Sequence, residues 1–377
     1  MIAVLLAAPA GVLAIGFQVP GSNTTLDMGG YVKLDVIYND VSAGDDSQAN
    51  YEYSPSEVPL DDAEEGKDEL VFNGRESRLW AKTTTPTAMG PLKTHLEMDF
   101  DTTESSQVVS NSRGMRLRHG YGTLKGFLFG QTWSLFMHLD SLPEINDFGG
   151  PTGSMFVRQP QLRYTYDMND TMNFAVSVEN AETYFYDGTG LNVVDDDNMP
   201  DAIGRFSVNP SWGNLSAAVM VRNLVVDAGP VDDSTVAVSG QVGAVLKLFA
   251  KDSLMGAIQY GQGIGRYSSL ASHPDAYVTD NGDLESLDQL AGFVGYQHYW
   301  VGTWRSTVAL GYSKADDPAE LQNTDLTEET VSVHANLMFD PVENTRVGIE
   351  YIRGERETYD GQDGELNRIQ FSAMVSF

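Results

Sequence analysis

Apolar and polar residues alternate with a period of two along much of this chain. In the last segment, 366–377, Ile369, Phe371, Ala373, Val375 and Phe377 interleave with Arg368, Gln370, Ser372, Met374 and Ser376. Near the start, Met28, Gly30, Val32, Leu34, Val36 and Tyr38 share one face, with Lys33 and Asp35 opposite. Segment 92–100 sets Leu92, Thr94, Leu96, Met98 and Phe100 against Lys93, His95, Glu97 and Asp99. Successive side chains of an extended strand point to opposite faces, so each segment has one apolar and one polar side. Sixteen such strands are predicted, at 27–39, 71–84, 91–101, 114–124, 126–133, 159–167, 171–181, 202–209, 213–223, 236–249, 253–264, 287–300, 303–314, 328–339, 342–353 and 365–377.

The connections alternate too. Long ones run at 40–70, 102–113, 134–158, 182–201, 224–235, 265–286, 315–327 and 354–364. Between them lie short turns such as Asp167-Met168-Asn169-Asp170, Asn209-Pro210 and Asp340-Pro341, built from turn-forming residues. A soluble sandwich has no reason to alternate loop length so regularly. A bacterial outer-membrane barrel does, with short periplasmic turns and longer external loops. The expected fold is therefore all-β: a 16-stranded antiparallel transmembrane barrel occupying 27–377, with both termini on the short-turn side. Aromatic residues near predicted strand ends, among them Tyr164, Tyr166, Trp212, Trp300 and Trp304, fit interfacial girdles.

The opening MIAVLLAAPAGVLA has the apolar run and small residues of a secretory leader, with cleavage expected after Ala14. No basic residue precedes the run, so its start reads as truncated. Residues 15–26 then form a short periplasmic lead. After Ala14 no apolar stretch approaches the roughly 20 residues of a spanning helix.

The formal charge is −30, from 53 acidic and 23 basic residues, which argues against a nucleic-acid partner. Acidic runs fall in or beside the long connections: Asp45-Asp46, Asp61-Asp62, Glu64-Glu65, Asp195-Asp196-Asp197, Asp232-Asp233, Asp316-Asp317 and Glu328-Glu329. They are read as solvated loop charge, or as divalent-cation sites beside lipopolysaccharide. The chain has no cysteine, which excludes a disulfide framework and thiol chemistry.

Eleven of the 23 basic residues fall between Lys67 and Arg163. On the predicted strands Arg78 and Lys82 oppose Leu79 and Ala81, and Arg163 lies between Leu162 and Tyr164. Arg116 and Arg118 are expected opposite Met115, Leu117, His119 and Tyr121. A lipid-facing arginine near midplane costs about 2–4 kcal/mol, so these cations are expected inside the barrel, forming a basic wall. Arg158 and Arg205 join it, and pairing with Glu76, Glu97 or Asp99 is the structural alternative. The long connection 134–158 is less polar than the others, with Leu135, Phe136, Met137, Leu142, Ile145, Phe148 and Phe156. It is expected to fold inward as a constriction, with Asp140, Glu144 and Asp147 facing the basic wall and Phe148 beside them. Such a transverse field would orient dipolar or anionic solutes.

Gln131-Thr132-Trp133-Ser134, Leu142-Pro143-Glu144, Asp147-Phe148-Gly149-Gly150-Pro151 and Val157-Arg158-Gln159 resemble the DcaP-like trimeric outer-membrane porins. The opening Gly30-Tyr31-Val32-Lys33-Leu34-Asp35 fits the same family. The resemblance implies a homotrimer of 16-stranded barrels in the bacterial outer membrane, passing small and often anionic solutes such as dicarboxylates. No cofactor is expected. A non-conducting structural or adhesive barrel is the alternative. An enzyme is disfavoured, because no Gly-x-Ser-x-Gly motif and no helix-spaced histidine pair accompanies the six histidines.

Overall fold

The computed structural model describes residues 15–44, 47–61, 67–102, 110–111, 113–194, 197–228, 231–249 and 251–377. The expected leader 1–14 and the acidic runs at 45–46, 62, 64–65 and 195–196 lie outside the described residues.

The strands are β1 (Ile15–Gln18), β2 (Thr25–Asn39), β3 (Glu69–Asn73), β4 (Arg78–Thr87), β5 (Gly90–Asp99), β6 (Arg116–Leu124), β7 (Phe127–Trp133), β8 (Arg158–Asp167), β9 (Met172–Glu179), β10 (Thr183–Tyr186), β11 (Leu191–Val194), β12 (Asp201–Val208), β13 (Gly213–Ala228), β14 (Val231–Leu248), β15 (Asp252–Gln262), β16 (Ala276–Val278), β17 (Leu284–Ser286), β18 (Asp288–Tyr299), β19 (Arg305–Ala315), β20 (Thr327–Phe339), β21 (Thr345–Thr358) and β22 (Asp363–Ser376). Neighbours in the large sheet pair antiparallel, and β22 returns to β2 from Tyr31↔Ser376 to Asn39↔Arg368. Gly30 and Phe377 exchange both backbone hydrogen bonds at 3.0 Å, so the C-terminal phenylalanine completes the seam. Closure leaves no edge whose N–H and C=O groups would go unsatisfied in hydrocarbon.

β3 and β4 both pair with β2 and together make one wall position, so the closed barrel has sixteen. β1 folds back on β2, Ile15↔Met28 to Gln18↔Thr25. The small strands β10, β11, β16 and β17 form a separate four-stranded sheet beyond the long-loop rim. Its buried Phe185, Ala276 and Leu284 pack against Leu224, Val226 and Ala237 of β13 and β14.

Two departures from strict alternation change which residues face inward. Residues 74–77 interrupt the strand expected at 71–84, and Arg75 and Glu76 are both buried there. Between β5 and β6 the register passes from Glu97↔His119 to Met98↔Leu117, a bulge that turns both Arg118 and His119 into the lumen. His119 and Tyr121, expected on the lipid face, therefore join the lumen wall: His119 Nδ1 lies 2.9 Å from Thr132 Oγ1, and His95 Nδ1 lies 3.3 Å from the Tyr121 hydroxyl.

Two long connections also differ. The one expected at 224–235 is mostly strand, because β13 and β14 pair on to Ala228↔Val231. At 354–364, β21 and β22 likewise run on to Glu357↔Asp363. Both are hairpins standing above the rim, where the polar outer face no longer meets lipid.

The outer face is an apolar belt that includes Leu34, Leu79, Leu96, Val176, Val219, Val238, Ile258, Val294, Leu310 and Ile349, all exposed. Aromatic pairs mark the short-turn rim: Trp304 stacks on Phe339 at 4.4 Å between centroids, and Phe127 meets Tyr164 at 4.7 Å. Inside, the loop 134–157 lies along the β12–β22 arc, and lumen-facing glycines make room for it. A Cβ on Gly295 would touch Pro143 at 3.1 Å, one on Gly348 would meet the Asn146 amide at 2.7 Å, and one on Gly311 would run into the Thr152 backbone. Gly311→Val should therefore unseat this segment, at roughly 1–3 kcal/mol. A lower midpoint for loss of the folded band on unheated gels checks it; an unchanged midpoint refutes the steric reading.

Candidate functional site

The loop 134–157 begins at Trp133, at the end of β7, and crosses the lumen. Its first residues, Leu135, Phe136 and Met137, are fully buried against Ala175, Ile203, Ala218 and Met220 on β9, β12 and β13. Apolar side chains in a polar lumen are stable only when packed on such a patch, which explains why this loop is the least polar. Arg163 Nη2 donates to the Trp133 carbonyl at 2.6 Å, and Arg205 Nη1 donates to the carbonyls of Leu135 at 3.2 Å and Met137 at 2.8 Å. Two expected wall cations thus hold the loop's first turn by its carbonyl oxygens.

Two of its carboxylates, Glu144 and Asp147, do not face the basic wall, which corrects the expectation for them. Glu144 is bonded to Arg305 of β19 at 2.6 Å and to Arg346 of β21 at 2.9 Å. Burial pushes the Glu144 carboxyl up, but the Arg305 hydrogen bonds and the Arg346 charge outweigh it and hold the group below the usual carboxylate range. Asp147 pairs with Arg368 of β22 at 2.9 Å, both side chains fully buried, and also accepts from the Tyr53 and Gly149 amides. Asp140 accepts from Asn214 Nδ2 at 2.6 Å. Glu144 and Asp147 are tethers to the far half of the barrel, where Arg305, Arg346 and Arg368 receive them.

The aromatic tip reaches the wall around Arg116 and Arg118. Arg116 and Arg118 sit 5.4 and 5.2 Å from the Phe148 ring centroid, and Phe148 meets Phe156 edge-on at 5.4 Å. On that wall Arg118 is bonded to Glu97 at 3.0 Å and Asp99 at 2.7 Å. Arg116 reaches Asp99 at 3.0 Å and Asp101 at 2.9 Å, and its side chain stays 30% exposed, the most open of these guanidinium groups. Arg78 pairs with Glu97 at 3.2 Å. Arg158 stacks on Trp133 at 4.6 Å, and Lys82 lies 4.5 Å over the Trp80 ring. Among the described residues, no carboxylate lies within ion-pair distance of Arg158, Lys82, Arg163 or Arg205, so the wall holds more cations than anions. Arg158 Nη1, Arg118 Nη2 and Arg78 Nε are buried with no hydrogen-bond partner among the described residues. The structure therefore brings Arg78, Arg116, Arg118, Arg158 and Phe148 together, and sets Glu144 and Asp147 apart from them.

The family described as DcaP outer membrane protein matches residues 17–377. The chain belongs to that family. The outer membrane channel DcaP of Acinetobacter baumannii has a similar structure, with a TM-score of 0.80 and 25% identity over 96% of this chain and 99% of that one. An anion-selective porin from Comamonas acidovorans, at 12% identity and a TM-score of 0.64 over 94% of this chain and all of its own, shares the fold. Porin Omp2b of Brucella abortus is 23% identical over 229 residues, covering 55% of this chain, which spans about half the length of that relative. Family and fold together place the protein in the bacterial outer membrane, with the apolar belt in lipid and the long loops outward.

Sequence reasoning missed Trp133, Phe156, His95 and His119 as wall residues. The shared parity of His95 with Glu97 and Asp99 was a usable signal for one of them; the bulge that turns His119 inward leaves none. It also missed Arg305, Arg346 and Arg368, whose strands read as ordinary alternation. Asp147→Asn should leave the Arg368 guanidinium buried without its carboxylate and cost roughly 3–5 kcal/mol. Urea unfolding in detergent measures this, and a loss under about 1 kcal/mol would contradict the tether.

Proposed function

We propose that this protein is an outer-membrane porin that prefers small anions. The observation carrying that reading is the surplus of cations over ion-paired carboxylates on the near wall, where Arg116 and Lys82 keep solvent access. Lumen positions on β13–β22 such as Met220, Gln259, Ala309, Ser332, His334 and Gln370 are buried, whereas Arg116, Lys82 and Trp80 retain solvent access. A solute therefore runs past Arg116, Lys82 and Trp80, the near-wall groups that keep solvent access. Carboxylates suit this wall because a guanidinium binds them through two parallel hydrogen bonds, and dicarboxylates can engage two at once. The −30 total does not oppose the preference. Loop charge is screened beyond about 8–10 Å, while a narrow low-dielectric lumen focuses the field of its own wall.

Arg116 and Arg118 are poor probes, since removing them strands Glu97 and Asp99. Arg158 and Lys82 have no such partners. Replacing both with Gln should lower the anion/cation permeability ratio roughly two- to threefold in planar bilayers, without loss of the folded band. A cation-selective wild type, or an unmoved reversal potential in the double variant, refutes the reading. A barrel that never conducts favours the structural or adhesive alternative.

Assembly as a homotrimer is part of the same proposal. The outer face around β4–β7 departs from the aliphatic belt, with Thr83 and Thr94 sharing a 2.6 Å hydrogen bond, Gln131 donating to the Leu117 carbonyl, and Gly120 and Gly122 nearby. Such a surface packs better on another copy than on acyl chains. At the long-loop rim two cations are outnumbered: Lys314 lies between Glu328 and Glu329, and Arg353 between Glu355 and Glu365. Lipopolysaccharide phosphates would then be met through divalent cations. Cross-linking in mild detergent should yield a three-subunit band, and a bulky Gly122→Trp should abolish it; a wild type that stays monomeric refutes the trimer.

A further inference from the structure

The first long connection reaches well below the rim. Ala49, Asn50, Tyr51, Glu52 and Tyr53 are buried, and four anchors hold them in the lumen. Gln48 Nε2 donates to Asp101 at 2.7 Å, Arg75 Nη1 donates to Gln48 at 3.0 Å, the Tyr53 amide donates to Asp147 at 2.9 Å, and Arg368 Nη2 donates to the Ala49 carbonyl. Arg75 also lies 3.5 Å over the Tyr51 ring. In the middle sits Glu52, 9% exposed, with its Oε2 lacking any hydrogen-bond partner among the described residues.

Three loops thus bring three carboxylates together: Glu52 from the first, Asp101 from the second and Asp147 from the third. Asp101 and Asp147 are each ion-paired, Asp101 with Arg116, which it shares with Asp99, and Asp147 with Arg368. Glu52 has none to itself. Arg116 acts on it only from a distance, and Gln48 offers a hydrogen bond. Burial first, then the charges of Asp101 and Asp147, push its carboxyl up to about 8.

We propose that Glu52 is a specificity-determining residue whose proton sets how strongly the constriction prefers anions. Protonated, it leaves the exposed guanidinium of Arg116 available to the passage. Ionised, it adds another carboxylate to the set around Arg116 and reduces the wall's positive field. The same ionisation loosens the first loop. Seated, Glu52 keeps its proton to about pH 8; released into water it loses it near the ordinary 4.5. Seating is therefore firmest below that lower value, weakens as pH rises through the interval, and changes no further above about 8. With the loop seated, the field effect runs toward weaker anion preference at alkaline pH.

The inference rests on the anion-preferring reading, and reversal potentials of the full-length channel in planar bilayers separate the two. In a potassium chloride gradient, wild type should lose about twofold in anion/cation permeability ratio between pH 6 and pH 9.5, with a midpoint near 8. Glu52→Gln, a neutral isostere, should hold the pH 6 value throughout. A wild type whose ratio is flat over this range overturns the proposal, as does a Glu52→Gln channel that titrates like wild type. If Glu52→Gln gives no folded band, Glu52→Ala takes its place under the same criteria, and the wild-type midpoint stands as an independent check. Cation selectivity at pH 6 in every protein defeats the anion reading itself, whereas the Glu52 step is read from the pH difference alone.

Discussion

The loop 134–157 carries its acidic side chains across the lumen to guanidinium groups on the far wall: Glu144 to Arg305 and Arg346, Asp147 to Arg368. A barrel of sixteen strands is too wide to fill with its own side chains, so something must cross it or the lumen stays open. Buried charge is tolerated only when paired and hydrogen-bonded, and the far wall supplies three arginines for two loop carboxylates. This pairing fills one half of the lumen with polypeptide and leaves the near half as the passage. The glycines at 295, 311 and 348, the buried first loop and the placing of Phe148 at the free edge all follow from it.

The near wall then differs from the far wall in kind. Arg305 and Arg346 hold the loop's Glu144 while also pairing with Asp340, and Arg368 holds Asp147. Arg78, Arg116 and Arg118 share Glu97, Asp99 and Asp101, and Arg158 meets only the face of Trp133. Positive charge left over on a low-dielectric surface is expressed toward the passage, where external carboxylates are screened from it. On the anion-preferring reading proposed above, a strongly acidic protein presents a cationic constriction in this way.

Period-two alternation was enough to read sixteen wall positions, because one face of every strand meets lipid and the other does not. The alternation of loop length put both ends of the chain on the short-turn side, and β2 and β22 do close the barrel there. Arg78, Arg158 and Phe148 were legible as lumen groups from parity and from the odd composition of their loop. Irregularities were not legible. The break at 74–77 and the bulge opposite Glu97 each shift parity by one residue, which no composition signals, and so His119 and Tyr121 were placed on the wrong face.

Partnership was beyond the sequence altogether. Glu144 lies 161 residues from Arg305, and Asp147 lies 221 from Arg368. Alternation tells which side of the sheet a residue faces but nothing about what approaches it from across a lumen. The sequence by itself determined the barrel, its membrane belt and the presence of interior cations, because those follow from local periodicity and the cost of charge in lipid. Tertiary structure alone decided which cations are neutralised and which stay available, since that depends on how the first and third loops, distant in the chain, descend into one enclosed space and which guanidinium groups their side chains reach.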